Sequence, residues 1–192
     1  MNAVDEPTSL RILLITASVR SGRFGPTAAR WAEKILAEVD AELEVVDLDG
    51  LSFPSSMQAH PDSLAFADAV GRADAVVVVT PEYNHSFPGP LKSAIDSVRG
   101  QWHAKPVAFI SYGGMAGGLR AVEALRLVFA ELHAVTVRDT VSLHNPWGPA
   151  GDPAVEYPDA QADDALHAML RQLLWWADAL RAARDRAAYP AS

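Results

Sequence analysis

The chain has 192 residues, of which 49% are hydrophobic, and its net charge of −8 corresponds to a pI of about 5.1. A chain of this size can bury a substantial core within one domain. The basic residues are scattered, which argues against nucleic acid as a partner. Cysteine is absent, so disulfides, thiolate metal ligands and a cysteine nucleophile are excluded. Redox chemistry would therefore require a bound cofactor.

The amino-terminal segment and the hydropathy of the chain bear on where the protein acts. Residues 1–8 lack the basic-then-apolar pattern of a signal peptide, and we expect them to be flexible. No segment approaches about 18 continuous apolar residues, the length that predicts a membrane-spanning helix. We therefore expect a cytoplasmic protein that has no membrane partner.

The apolar patterns predict strands that alternate with helices. Residues 75–80 form an uninterrupted, largely β-branched run, which is typical of a strand buried on both faces of a parallel sheet. Residues 43–48 alternate instead, as expected for an edge strand with one solvated face. Ser63 is a candidate N-cap of the second helix. The predicted strands are 10–16, 43–48, 75–80, 106–111 and 135–141, and the predicted helices are 26–37, 63–72, 91–98, 119–132 and 163–187.

This alternation predicts the fold class. Repeated βα units favour a three-layer α/β/α domain over residues 1–192, with a five-stranded parallel sheet between two layers of helices. The flavodoxin-like strand order 2-1-3-4-5 places ligands outside the carboxyl ends of the strands, near the switch between strands one and three. The loops after strands one, three and four should then carry ligand chemistry, whereas the loop after strand two need not.

The loop after the first strand has the residues of an anion site. Ser18, Arg20 and Arg23 precede the first helix, whose unpaired backbone N–H groups and dipole favour a negative charge. Guanidinium groups bind phosphate oxygens with paired hydrogen bonds, so a phosphate monoester fits this loop. The glycine spacings of dinucleotide and nucleoside-triphosphate loops are absent. The alternative is an ordinary polar connection with its arginines in solvent.

The loops after strands three and four suggest a flat ligand. Pro81, Glu82, Tyr83 and Asn84 follow the buried strand directly, and they combine a carboxylate, an aromatic ring and an amide. His85 comes next, and we interpret it as a surface residue. Alternatively, Tyr83 packs on its helix and Glu82 is solvated.

After the fourth strand, Ser111 precedes two pairs of glycines that allow backbone N–H groups to approach a ligand closely. The first pair is Gly113 and Gly114. Alternatively, the glycine pairs only mark the boundary of a helix.

Four segments in order, 16–23, 80–84, 91–96 and 111–120, resemble the NADPH-dependent FMN reductase family. The similarity extends from the first strand to about Val141. It implies a flavodoxin-like fold that binds FMN, with NADPH or NADH as the reductant. One departure is Ala17, where many members of the family have glycine, so a turn that needs a positive φ would be strained.

The resemblance also implies the roles of particular residues. The first loop would hold the phosphate, and the other two loops would contact the isoalloxazine ring. The implied phosphate ligands are Ser18, Arg20 and Arg23, and the implied ring contacts are Pro81, Glu82, Tyr83, Asn84, Ser111, Gly113 and Gly114. Members of the family are commonly homodimers or homotetramers with the 91–98 helix at a subunit contact. The spacing of Lys92 and Asp96 alone predicts only an i,i+4 surface ion pair.

The expected activity is transfer of hydride from NADPH or NADH to bound FMN, and then to a small-molecule acceptor such as a quinone, free flavin, azo compound or ferric complex. The cofactors carry this chemistry, so no catalytic acid or base is predicted. The alternative is a flavodoxin-type electron carrier that does not turn over NAD(P)H. Carriers usually lack arginines in the phosphate loop. A hydrolase has little support, because there is no Gly-x-Ser-x-Gly motif.

Three further features complete the sequence-based expectations. The histidines show no spacing typical of metal ligands, so no metal site is predicted. The long Pro- and Gly-rich segment 143–160 is either a lid over the flavin, with Trp147 as a stacking group, or a surface loop packed by its aromatic residues. Trp175 and Trp176 lie on an apolar helix, which favours core or subunit packing.

Overall fold

The structure is a computed structural model that describes residues 9–147 and 160–190. Its strands are β1 (Leu10–Thr16), β2 (Ala41–Asp47), β3 (Ala75–Pro81), β4 (Pro106–Gly113), β5 (Val135–Thr136) and β6 (Val141–His144). Its α-helices are α1 (Gly25–Leu36), α2 (Pro61–Arg72), α3 (Gly89–Asp96), α4 (Leu119–Glu131) and α5 (Ala160–Arg186), and a short 3₁₀ helix covers Gly100–Trp102.

The sheet has the predicted order. β1 pairs with β2 and β3, β3 pairs with β4, and every pairing is parallel. β3 therefore lies at the centre of the sheet, and all of its residues are buried. β2 lies at an edge, and each of its residues is half-buried or exposed. The predicted flavodoxin-like α/β fold is thus confirmed.

The alternation of side chains along the strands divides the core into two layers. Ile12 and Leu14 face one side of the sheet, where they pack with α1 and α5. Leu13 and Ile15 face the other side, where they pack with α2, α3 and α4. Successive residues of a strand point to opposite faces, so a fully apolar run requires helices on both sides.

The predicted fifth strand is divided in two. β5 and β6 both pair with β4, but Pro106 pairs with Val135 whereas Ile110 pairs with Val141, so the edge strand contains two additional residues between these pairs. Arg126 of α4 donates to the carbonyl oxygen of Val137 at 2.8 Å. The carbonyl of Val137 therefore accepts from a helix side chain, whereas in an unbroken strand it would accept from the backbone of β4.

The predicted start of the second helix is wrong by two residues. His60 is the N-cap, and its ring nitrogen Nδ1 accepts the backbone N–H of Asp62 at 3.2 Å. The hydroxyl of Ser63 accepts the backbone N–H of His60 at 3.0 Å, which completes a capping box. Ser63 is thus the third residue of the helix and not its cap.

Other sequence expectations can be placed in the structure. Lys92 and Asp96 form the predicted i,i+4 ion pair along α3, with 2.6 Å between Nζ and Oδ2. Trp176 packs against the core, whereas 65% of Trp175 is exposed. Trp147 is half-buried and contacts the core layer beneath α1 and α5. The expected flexible segment 1–8 and most of the expected 143–160 loop lie outside the described residues.

Lys105 joins α2 to the start of β4. Its ammonium group is buried and donates to the carbonyl oxygens of Val70, at 2.7 Å, and Ala73, where α2 ends. These carbonyls have no partner within the helix, so Lys105 acts as a C-terminal cap. Burial is the main cause that lowers the pKa of Lys105 to about 8, and the charge of Arg184 contributes.

We therefore expect stability to rise with pH in the alkaline range. Between pH 8 and 10.5 the unfolded chain holds the Lys105 proton more often than the folded chain does, so the free energy of unfolding increases with pH. The expected increase from this group is about 3 kcal/mol. Urea denaturation of the protein and of Lys105→Met measures it, since the difference between the two should grow over this range. A difference that stays constant would contradict the assignment.

Candidate functional site

The loop after β1 continues the sheet before it turns. The backbone N–H of Ala17 donates to the carbonyl of Val79 at 2.9 Å, so Ala17 extends the pairing of β1 with β3. Ala17 is buried and does not have a positive φ. Alanine in place of the family's glycine is therefore not strained here. The chain then passes through Gly22, at φ +65°, to the start of α1.

Two of the predicted loops meet through a pair of hydroxyl groups. Ser18 Oγ lies 2.9 Å from the hydroxyl of Tyr83. The guanidinium carbon of Arg20 lies 6.0 Å from the centre of the Tyr83 ring, within the range of a cation–π contact. The structure thus brings two predicted phosphate ligands next to a predicted contact of the isoalloxazine ring.

Arg23 is held by carboxylates at the end of β2. Its guanidinium group donates to Asp47 at 2.7 Å, to Asp49 at 2.9 Å and to the carbonyl oxygen of Ser18 at 2.7 Å. The hydrogen bond to Asp47 is the main cause that raises the pKa of Arg23. Arg20 is exposed and forms no ion pair within residues 9–147 and 160–190. Direct contact between Arg23 and a phosphate remains a prediction, whereas its attachment to the loop after β2 is a property of the structure.

The loop after β3 forms a tight two-residue turn. Tyr83 and Ser86 exchange backbone hydrogen bonds of 2.9 and 3.0 Å, and both residues between them have a positive φ, +50° at Asn84 and +68° at His85. This is the pattern of a type I′ turn, which asparagine adopts more readily than histidine. Because strained backbone often occurs at functional sites, the turn supports a role for this loop.

Glu82 connects this loop to the start of α4. Its side chain is 7% exposed, its carboxylate accepts the backbone N–H of Arg120 at 3.2 Å, and it forms an ion pair with the Arg120 guanidinium. A carboxylate at a helix N-terminus also interacts favourably with the helix dipole. The geometry shows a partner for Glu82 within the same chain, and its contact with a flat ligand remains a prediction.

The second glycine pair shapes the loop after β4. Gly117 and Gly118 have φ values of +55° and +89°, whereas Gly113 and Gly114 have no positive φ. A Cβ on Gly118 would lie 2.8 Å from the backbone nitrogen of Tyr112, so only glycine fits there. Ser111 is buried, and its hydroxyl donates to the carbonyl oxygen of Gly117 at 2.9 Å. The contacts predicted for Ser111, Gly113 and Gly114 remain predictions.

Tyr112 was not among the residues singled out from the sequence. Its ring packs edge-on against Phe24 with the centroids 5.3 Å apart, and its hydroxyl lies 3.1 Å from the position that a Cβ on Gly25 would occupy. The hydroxyl is buried, and no hydrogen bond to it is formed in the described part of the chain. Burial is the main cause that raises the pKa of Tyr112, and the neighbouring Ser18 hydroxyl opposes this shift.

A separate cavity of about 460 Å³ lies between the edge strand β2 and α2. Its lining includes Glu44, Asp62, Phe66 and Arg72. It offers one exposed cation, Arg72, among four carboxylates, so its charge suits an anionic ligand less well than the first loop does. The carboxyl edge of the sheet therefore remains the better candidate for a phosphorylated ligand.

Comparison with known proteins identifies the family of the chain. The family model described as NADPH-dependent FMN reductase matches residues 10–148. The chain belongs to this family. An NAD(P)H-dependent FMN reductase of Schizosaccharomyces pombe is 36% identical, with 56% of this chain and 60% of the relative covered. A quinone reductase of Escherichia coli K12 is 33% identical, with 67% of this chain and 73% of the relative covered.

A solved structure has the same fold. FerB of Paracoccus denitrificans, a flavoenzyme NAD(P)H:(acceptor) oxidoreductase, superimposes with a TM-score of 0.71, 24% identity and coverage of 88% of this chain and 98% of FerB. Among the described helices of the present protein, none is both long and apolar enough to cross a membrane.

The two arginines of the first loop should contribute differently to stability. Removal of the Arg23 guanidinium in Arg23→Met leaves Asp47, Asp49 and the Ser18 carbonyl without their partner. The carboxylates are partly hydrated, so we expect a loss of about 1–2 kcal/mol. Arg20→Met should change the free energy of unfolding by less than about 0.5 kcal/mol. Urea denaturation without added flavin measures both, and equal losses would show that Arg23 does not anchor the loop.

Proposed function

We propose that this protein transfers hydride from NADPH or NADH to FMN bound at the carboxyl edge of the sheet, and then to a small-molecule acceptor. The observation that carries the proposal is the contact of Ser18 and Arg20 with Tyr83. The hydroxyl of Ser18 and the guanidinium group of Arg20 both lie beside Tyr83 of the neighbouring loop. Arg20 forms no ion pair among the described residues, so its charge is available to a ligand. A phosphate monoester attached to a planar ring system needs this combination of groups.

The residues present fit FMN. Ser18, Arg20 and the N-terminal backbone of α1 would hold the phosphate, because all three favour an anion. Tyr83 and Asn84 would lie along one part of the ring, and Gly113 and Gly114 would allow the backbone to approach another. FMN, when bound, supplies the chemistry that accepts and donates hydride.

The protein's own contribution is to orient the ligands and exclude water. The type I′ turn fixes where Tyr83 and Asn84 stand, and the attachment of Glu82 to α4 fixes the distance between two of the loops. No side chain needs to exchange a proton in the hydride step. The acceptor should be a quinone, free flavin, azo compound or ferric complex. The names of the relatives, FMN reductase and quinone reductase, support the first two classes.

Two further parts of the proposal concern location and assembly. We place the protein in the cytoplasm because NADPH and NADH are supplied there. We expect a homodimer or homotetramer, since Trp175 exposes 65% of its surface on α5 and large exposed aromatic residues are enriched at interfaces. The 143–160 segment, including Trp147, would cover the flavin or pack on the surface.

A spectroscopic experiment tests the proposed function. The purified protein is reconstituted with FMN and mixed with NADPH or NADH without oxygen, while the visible flavin absorbance is followed. We expect the absorbance to bleach rapidly and to return when a quinone is added. Flavin that stays bound but is not bleached by either nucleotide would favour an electron carrier, and a protein that gains no flavin would overturn the proposal.

The assignment of the phosphate site is tested by comparing FMN with riboflavin. Loss of one charged hydrogen-bond donor in Arg20→Ala should weaken FMN binding by about 10- to 100-fold. Riboflavin has no phosphate, so its affinity should change little. Arg138→Ala is the matched control, because Arg138 is 93% exposed and lies between β5 and β6. An equal loss of affinity for FMN and riboflavin in Arg20→Ala would contradict this role.

A further inference from the structure

The buried hydroxyl of Tyr112 has no hydrogen-bond partner among the residues that the structure describes. It is the only buried side-chain nitrogen or oxygen without one in residues 9–147 and 160–190. Such a group costs free energy, because it has lost its hydrogen bonds to water and gained none in the protein. Phenylalanine would fill the same space without this cost. The hydroxyl therefore does not stabilise the ligand-free protein, and its role must lie elsewhere.

The position of the hydroxyl relates it to the phosphate loop. Tyr112 is 2% exposed and lies near the end of β4, with its ring against Phe24. Its oxygen lies 3.1 Å from the point where a Cβ on Gly25 would be, at the first residue of the 12-residue helix α1. Ser18 is its polar neighbour on the β1 side: the two hydroxyls are close enough for Ser18 to lower the pKa of Tyr112, but they are not in hydrogen-bonding geometry. The hydroxyl thus points at the junction between the first loop and the N-terminus of α1.

Ser18 has only one proton to donate. Its hydroxyl lies 2.9 Å from the hydroxyl of Tyr83, and either oxygen of this pair can be the donor. A hydrogen bond from a second donor, the Tyr112 hydroxyl, would determine where the Ser18 proton points. Ser18 would accept from Tyr112 and donate its own proton toward the ligand side of the loop. Burial keeps the pKa of Tyr112 well above its ordinary value, so this phenol retains its proton and remains a donor.

We propose that Tyr112 is a positioning residue that donates a hydrogen bond to Ser18 when FMN is bound, and thereby directs the Ser18 proton toward the phosphate. The inference rests on the proposed function, since it assumes that FMN phosphate occupies the first loop. In the complex the hydroxyls of Ser18 and Tyr112 would come into hydrogen-bonding geometry, which they do not have in the free protein. The polar group that lacks a partner in the free protein gains one in the complex.

The variant Tyr112→Phe separates this role from packing. It removes only the hydroxyl, so the ligand-free variant should have a melting temperature equal to or above that of the parent protein. Its affinity for FMN should fall by about tenfold, the effect expected from one lost hydrogen bond. Its affinity for riboflavin, which lacks the phosphate, should stay within about twofold of the parent value. Quenching of flavin fluorescence measures both affinities.

A double-mutant cycle with Ser18→Ala tests whether Tyr112 acts through Ser18. We expect Ser18→Ala to weaken FMN binding and the double variant to bind no more weakly than Ser18→Ala alone. Additive losses would show that the two residues act independently and would overturn the proposal. Equal losses for FMN and riboflavin in Tyr112→Phe would also overturn it, because they indicate a packing role.

The same measurements distinguish the two proposals. If the parent protein and Tyr112→Phe bind FMN equally tightly, the role of Tyr112 is overturned and the proposed function stands. A parent protein that binds no FMN overturns the proposed function and the positioning role together.

Discussion

The candidate site depends on the parallel pairing of β3 with its two neighbours. β3 lies between β1 and β4, and all of its residues are buried, so its register with both strands is fixed by the apolar layers on the two faces. The pairing continues beyond the strands, since the backbone N–H of Ala17 donates to the carbonyl of Val79 and the backbone N–H of Glu82 donates to the carbonyl of Tyr112. The three loops therefore leave the sheet side by side, and their side chains meet without a long connection.

Neighbouring groups determine which charges in these loops remain available to a ligand. Arg23 is paired with two carboxylates at the end of β2, and Glu82 is paired with Arg120 at the start of α4. Arg20 has neither kind of partner in the described parts of the chain. A protein with a net charge of −8 can thus still attract an anion locally, through Arg20 and the N-terminus of α1.

Burial patterns explain why much of the fold was predictable from the sequence. An uninterrupted apolar strand requires cover on both faces, and this requirement predicted a parallel sheet between two layers of helices. The flavodoxin-like strand order then placed three of the loops at one edge of the sheet. The division of the last strand was not predictable, because the contact of Arg126 of α4 with the carbonyl of Val137 between its two parts depends on the folded arrangement. The start of α2 was missed because histidine is not among the preferred N-cap residues.

The candidate site was predictable as a group of loops, but less so residue by residue. The sequence offered Arg20 and Arg23 as equivalent phosphate ligands. Their difference depends on where the end of β2 places Asp47 and Asp49, which is a property of the folded sheet. Tyr112 resembled an ordinary core residue, because an aromatic residue at the end of a buried strand is normally explained by packing alone. Only the missing hydrogen bond distinguishes it.

A crystal structure of the complex with FMN tests the central claim most directly. The claim is that the first loop and the N-terminus of α1 hold the phosphate while the loops after β3 and β4 hold the ring. We expect phosphate oxygens within hydrogen-bonding distance of Ser18 and Arg20, and the isoalloxazine ring beside Tyr83 and Gly113. Flavin bound instead in the cavity between β2 and α2, with the first loop unchanged, would contradict the account.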